Sequence, residues 1–279
     1  MWIALSSDWS TRGSNPTRIR GEPLRIVRYL QKDRTGYGVY RDGFVVPVAG
    51  NPYKGIVEDG EPVDMAEVRL LAPALPSKIV AAGLNYSDHA EEFGMDITEE
   101  PIIFLKAPST VVGPHGEVIC PPQSHRVDYE VELAVVIGRE SYLLDEKESL
   151  SHVLGYTCGL DMTARDLQLV DGQWTRAKNF DTFCPLGPWI ETGIDPGDLA
   201  IELRLNGELK QSSRTSRMIF PISRLVSFIT SIMTLFPGDV IMTGTPPGVG
   251  EVHPGDRLEA AIEGIGDLVC TVVGQPRSE

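Results

Sequence analysis

With 279 residues and a composition ordinary for a folded globular chain, the protein can form one large domain or a large and a small one, each with a real core. A formal charge of −14 argues against a nucleic-acid or anionic-membrane surface, since phosphate binding is mainly a lysine and arginine effect, but leaves small acidic substrates open. The scattered Cys120, Cys158, Cys184 and Cys270 form no CxxC pair, the apolar start is too short for a signal peptide, and no apolar run reaches membrane-spanning length, so a soluble cytoplasmic protein with reduced thiols is expected.

Residues 8–23 are polar and broken by Gly13, Pro16 and Gly21, which predicts a loop or mobile N-terminal arm. Short strands follow at 24–29, 36–40 and 44–48, separated by turn residues such as Asp42-Gly43: a β-meander. Pro73 and Pro76 mark a boundary near residue 75, giving a small N-terminal domain (1–75) and a main domain (76–279). Residues 78–83 read as a strand leading to a segment in which Ser87 or Asp88 can cap a helix. His89 and Glu92 then share a helical face and can form a general base, although surface helices often carry the same spacing. Lys106 closes a strand at 101–106, facing solvent or an anion, with solvent favoured on this stretch alone.

The sequence DYEVELAVVIG, residues 128–138, is the anomaly. Read as a strand from Glu130 to Ile137, it points Glu130 and Glu132 to one face. Two carboxylates so close on an apolar strand require neutralisation, which a divalent cation with oxygen ligands provides; a solvated edge strand is the plain alternative. After an acidic, helix-compatible connection, a strand at 153–160 delivers Asp161, either an N-cap for the loop or short helix at 162–168 or a third oxygen ligand. Such a facial oxygen set suits magnesium or manganese better than zinc. Residues 174–190 run from a polar loop into a strand and place Lys178 where a cation can face the site. A hairpin is predicted at Asn206-Gly207, and the apolar stripe from 222 to 236 predicts a helix opened by Pro221 and stopped by Pro237-Gly238. Beyond a strand at 240–242, the glycine-rich turn 243–250 offers hydroxyls and backbone amides to a carboxylate, or is simply structural; residues 257–273 are closing strands.

Taken together, NYxxHxxE, FLKxPS, DYExELAVVIG, GxDxTARDxQ, KxFDTFxPxGPW and TGTPxGVG, in this order from about residue 78 to the end, resemble the fumarylacetoacetate hydrolase family. That resemblance implies an α+β, mostly β fold, a rolled mixed sheet beside the small N-terminal β domain, and a homodimer. It also implies Mg2+ or Mn2+ held by Glu130, Glu132 and Asp161, with His89 and Glu92 as a base pair on a lid and Lys106 and Lys178 as further catalytic groups. Arg165, Gln168 and Thr245 become substrate contacts. The first 75 or so residues are less typical, and the arm at 8–23 matches nothing.

The activity implied is hydrolysis of a C–C bond in 2,4-dioxo acids of the acylpyruvate or fumarylpyruvate type, through an enolate stabilised by the cation. The His89/Glu92 pair, able to activate water, ranks this first. Decarboxylation or isomerisation of keto diacids in catechol or homoprotocatechuate degradation, or oxaloacetate decarboxylation, uses the same enolate and ranks second. A catalytically silent relative that only binds a keto acid or a partner protein is the third reading.

Overall fold

A computed structural model gives the fold and describes residues 17–19, 22–88 and 97–275. The chain is mostly β, organised around a curled, mixed sheet of 14 strands. Its main path uses β1 (Thr17–Ile19), β2 (Arg25–Gln31), β3 (Arg34–Arg41), β4 (Phe44–Val48), β5 (Ile56–Glu58), β6 (Ile79–Ala82), β7 (Ile103–Lys106), β8 (Val131–Ile137), β9 (Val153–Leu160), β10 (Cys184–Glu191) and β11 (Val240–Met242). Across the sheet their order is β1-β5-β4-β3-β2-β10-β9-β8-β11-β6-β7. The β11–β6 pair is parallel, while β8 is antiparallel to both its neighbours.

The N-terminal meander forms where turn residues allow it: Asp33, Asp42 and Gly43 adopt left-handed φ values of 65°, 46° and 90°. Its first strand, β2, pairs with β10 through Ile26–Ile190 and Arg25–Glu191, so the N-terminal strands continue the main sheet. Part of the stretch expected to be a loop or mobile arm is itself a strand, because β1 finds the open edge of β5 and pairs Thr17 with Glu58 and Ile19 with Ile56. The remainder of 8–16, with residues 20 and 21, lies outside the described residues.

A second sheet of five strands is ordered Glu117–Cys120, Gly266–Gly274, Arg257–Ile262, Ala200–Leu205, Glu208–Arg214. The hairpin between the last two turns on Asn206 and Gly207, with φ values of 53° and 83°; two consecutive positive φ angles make the Asn-Gly pair the natural choice. The predicted helix is shorter than its apolar stripe and spans Ile222–Ile232. It stops because Leu235 exchanges two backbone hydrogen bonds with Ser141, both 2.9 Å, drawing the chain into an extended bridge and leaving Ile232 and Phe236 about half exposed.

β8 lies in the middle of the large sheet with every residue buried, which removes the edge-strand alternative. Val131, Leu133, Val135 and Ile137 pack into one apolar core and Ala134 and Val136 into another. A strand covered on both faces reads as an unbroken apolar run, which accounts for the ELAVVIG pattern. No helix among the described residues is long and apolar enough to cross a membrane.

Candidate functional site

The site grows from the N-terminal end of β8. Strand pairing begins at Val131; Glu130 sits just before it, on the link from Val127–Tyr129, which belongs to a separate three-stranded sheet with Thr163–Ala164 and Gly250–Val252. The Asp161 N–H donates to the Glu130 carbonyl at 2.9 Å, in register with the Val131–Leu160 and Glu132–Gly159 pairs of β8 and β9, so the two glutamates, two residues apart, converge on one face as alternation predicts. Asp161 leaves the end of β9 and is no N-cap, since the next helix spans Arg165–Asp171 and is preceded by Ala164. Glu130, Glu132 and Asp161 are 6%, 1% and 1% exposed, and they present ligand oxygens all within 4.8 Å of one another.

Cations surround these carboxylates. Lys106, expected from its own stretch to reach solvent, is 1% exposed instead; its Nζ donates at 2.6 Å to both Asp161 Oδ1 and the Lys178 carbonyl. A desolvated ammonium requires such partners, and a strand end beside Asp161 supplies them. Lys178 Nζ bridges Asp161 Oδ2 at 2.6 Å and Glu130 Oε2 at 2.8 Å. Phe104 covers that ammonium, its ring centroid 5.2 Å from Nζ. Arg165 donates to Glu130 Oε1, to Asp128 Oδ2 at 2.9 Å and to Gln168 Oε1 at 2.7 Å, while Arg126 closes on Asp128 from outside.

These contacts divide the two glutamates electrostatically. Burial opposes ionisation of Glu130, but Lys178 and then Arg165 outweigh it and hold the carboxyl at about 2. Burial, then the Asp161 and Glu130 charges, push Glu132 well above the usual carboxylate range, with Lys178 and the Gly244 N–H opposing. Burial likewise disfavours the Lys178 ammonium, yet Asp161 and Glu130 raise its pKa above the ordinary lysine value. The donor set is all oxygen, and one of its carboxyls is under-neutralised by protein charge; this fits a hard divalent cation.

The glycine-rich turn completes the site in an unexpected way. β11 pairs with β8 as far as Met242–Ala134, and Thr243 continues with its N–H and hydroxyl on the Leu133 carbonyl. Gly244, at φ 92°, then peels away and donates its N–H to Glu132 Oε2 at 2.7 Å. The turn does hold a carboxylate, but the carboxylate is the protein's own. An added Cβ there would lie 2.8 Å from Asn85 Cβ, so glycine is required on both counts. Thr245 donates its hydroxyl to the Val131 carbonyl at 2.8 Å and accepts from Gln211 Nε2 at 2.9 Å.

Gln211, with no chemical motif around it, escaped the sequence reading; only its polar amide on an alternating strand hints at a buried role. Asn85 opens the NYxxHxxE motif, which by itself announces no role for its amide. Fully buried, it donates to the Thr243 and Phe220 carbonyls and accepts from the Phe220 N–H, tying the segment before residue 89 to the turn. His89 and Glu92 lie outside the described residues.

Comparison with known proteins agrees with this geometry. Residues 78–273 match the family model described as fumarylacetoacetate (FAA) hydrolase C-terminal, and residues 24–73 match one described as Rv2993c-like, N-terminal. A solved 2-hydroxyhepta-2,4-diene-1,7-dioate isomerase from Mycobacterium marinum is 41% identical with a TM-score of 0.85, covering 91% of this chain and all of that one. Oxaloacetate tautomerase FAHD2B of Bos taurus is 44% identical over 264 residues, 90% of this chain and 80% of its own length. A solved fumarylacetoacetate hydrolase from Exiguobacterium antarcticum is 36% identical with a TM-score of 0.82, covering 90% of this chain and all of that one. The curled sheet, the buried carboxylate set at its centre and these matches place the chain in the fumarylacetoacetate hydrolase family.

Proposed function

We propose that this protein is a Mg2+- or Mn2+-dependent isomerase of 2-oxo diacids, interconverting enol and keto forms or shifting a conjugated double bond. The observation that carries the reading is the buried convergence of Glu130, Glu132 and Asp161 beside the Lys178 ammonium, in a chain whose relatives include a dienedioate isomerase and an oxaloacetate tautomerase. Glu130, Glu132 and Asp161 would hold a divalent cation, which would supply Lewis acidity toward the 2-oxo group of the substrate. Lys178 holds Glu130 and Asp161 together and presents positive charge to a developing oxyanion. Burial excludes bulk water and strengthens that interaction. His89 and Glu92 are assigned the proton: taken from one substrate atom and returned to another, it leaves the atom count unchanged.

Hydrolysis of acylpyruvates is the second reading, favoured by the water-activating capacity of the His89/Glu92 pair and by the Exiguobacterium relative. The two part on products. With Mg2+, enol oxaloacetate and 2-hydroxyhepta-2,4-diene-1,7-dioate are expected to lose their enol or diene absorbance faster than buffer allows, without pyruvate. Pyruvate from acetylpyruvate or fumarylpyruvate, with both enols untouched, would overturn the isomerase reading and install the second.

A further inference from the structure

We propose that Gln211 is a positioning residue that sets the geometry of the Glu130/Glu132 pair; this rests on the metal reading above. Only Val131 separates the two glutamates, so two peptide planes govern how their side chains converge. The first, Glu130–Val131, is pinned at both ends: its carbonyl accepts from the Asp161 N–H at 2.9 Å, and its N–H donates to Gln211 Oε1 at 2.9 Å. The second, Val131–Glu132, is held at its carbonyl by Thr245 Oγ1 at 2.8 Å. Gln211 reaches that contact too, because its Nε2 donates to Thr245 Oγ1 at 2.9 Å and to the Pro246 carbonyl at 2.7 Å.

The amide orientation is unambiguous, since an N–H faces one end and a carbonyl the other. Gln211 is fully buried, and it comes from the five-stranded sheet rather than the one carrying the ligands. An uninterrupted β11 would offer main-chain partners to Val131, but Gly244 diverts the chain. One side chain takes over that duty, fixing ligand strand and turn together. Groups just outside a ligand set that orient it are typically worth 10–100-fold in metal affinity.

The test uses the full chain and Mn2+, with free ion followed by electron paramagnetic resonance. Gln211→Met removes all three contacts at similar volume and is expected to weaken Mn2+ binding about 10–100-fold. Gln211→Glu keeps the acceptor for the Val131 N–H but not the Nε2 donor to Thr245 and Pro246, and is expected to bind Mn2+ between the native protein and the Met variant. Native-like binding by a folded Gln211→Met overturns the inference. Where Gln211→Met fails to fold, 15N-labelled native protein is titrated with Mg2+. Gln211 side-chain and Val131 amide resonances that shift along the binding isotherm support the assignment, and static ones overturn it. Absence of Mn2+ binding by the native chain sinks the metal reading itself, a result distinct from either failure above.

Discussion

Replacing Lys178 with methionine tests the electrostatics of the site in one step. The ammonium is 4% exposed and makes two carboxylate contacts, at 2.6 Å to Asp161 and 2.8 Å to Glu130. Without it Asp161 keeps Lys106 and Glu130 keeps Arg165, so the loss belongs at the lower end of the roughly 3–5 kcal/mol typical of breaking a buried ion pair. At roughly 2–4 °C per kcal/mol for a chain of this size, the thermal midpoint in EDTA is expected to fall by roughly 6–12 °C. At one fixed Mg2+ concentration, set to a hundred times the native dissociation constant, the native protein gains about 2.7 kcal/mol. The variant is expected to gain more than the native protein, because a cation replaces charge the lysine supplied. Differential scanning fluorimetry of both proteins, with EDTA and with Mg2+, reads the two shifts. Equal midpoints in EDTA, or a larger Mg2+ gain for the native chain, would refute the argument.

Glu132→Gln should abolish Mn2+ binding without lowering the midpoint in EDTA. A carboxyl whose folded pKa is raised opposes folding as pH climbs above about 4.3, and the amide removes that opposition. Gly244→Ala meets both a left-handed φ and the Asn85 Cβ; it is expected to cost at least about 2 kcal/mol in urea unfolding and to weaken Mn2+ binding by displacing the Glu132 partner. Asp239 is buried and accepts from the N–H groups of Ser77, Lys78 and Phe236, from Ser77 Oγ and from Lys78 Nζ, so Asp239→Ala should lose about 2–4 kcal/mol near neutral pH. Burial opposes its charge, but the Lys78, Phe236 and Ser77 donors hold the carboxyl below its usual range. Its stabilisation is therefore present above about pH 4 and lost as pH falls through the lowered value. The gap between native and variant urea midpoints should narrow in acid, and a gap that is constant from pH 7 to pH 3 would remove the role assigned to its charge.

Local signals carried far in this sequence where the physics is local. The Asn206-Gly207 hairpin, the meander turns and the strand delivering Asp161 each follow from a backbone preference or an alternation, and each forms as read. The convergence of Glu130 and Glu132 is of the same kind, but that the residues just before Glu130 belong to a separate small sheet was not legible, because their partners at 163–164 and 250–252 are remote in sequence. Lys106 illustrates the same dependence, since nothing in FLKAPS announces a buried carboxylate partner. The amides of the glycine turn were legible as carboxylate donors but not the identity of the carboxylate, because Glu132 reaches Gly244 only once β8 and β11 are paired. Helix length failed for a related reason: the apolar stripe persists to Phe236, but a backbone bridge to Ser141 competes for the final turn.

The pairing of β2 with β10 bears on how such chains recombine. Two sequence families meet between residues 73 and 78, where a splice looks natural, but the hydrogen-bonded surface runs unbroken through the joint. Any foreign N-terminal segment grafted there inherits a template: it must set a buried apolar residue against Ile190, where Ile26 stands, and offer a cation to Glu191 as Arg25 does. Exchange between relatives is thus constrained by register rather than by linker length, and a graft one residue out of step turns its apolar face toward water.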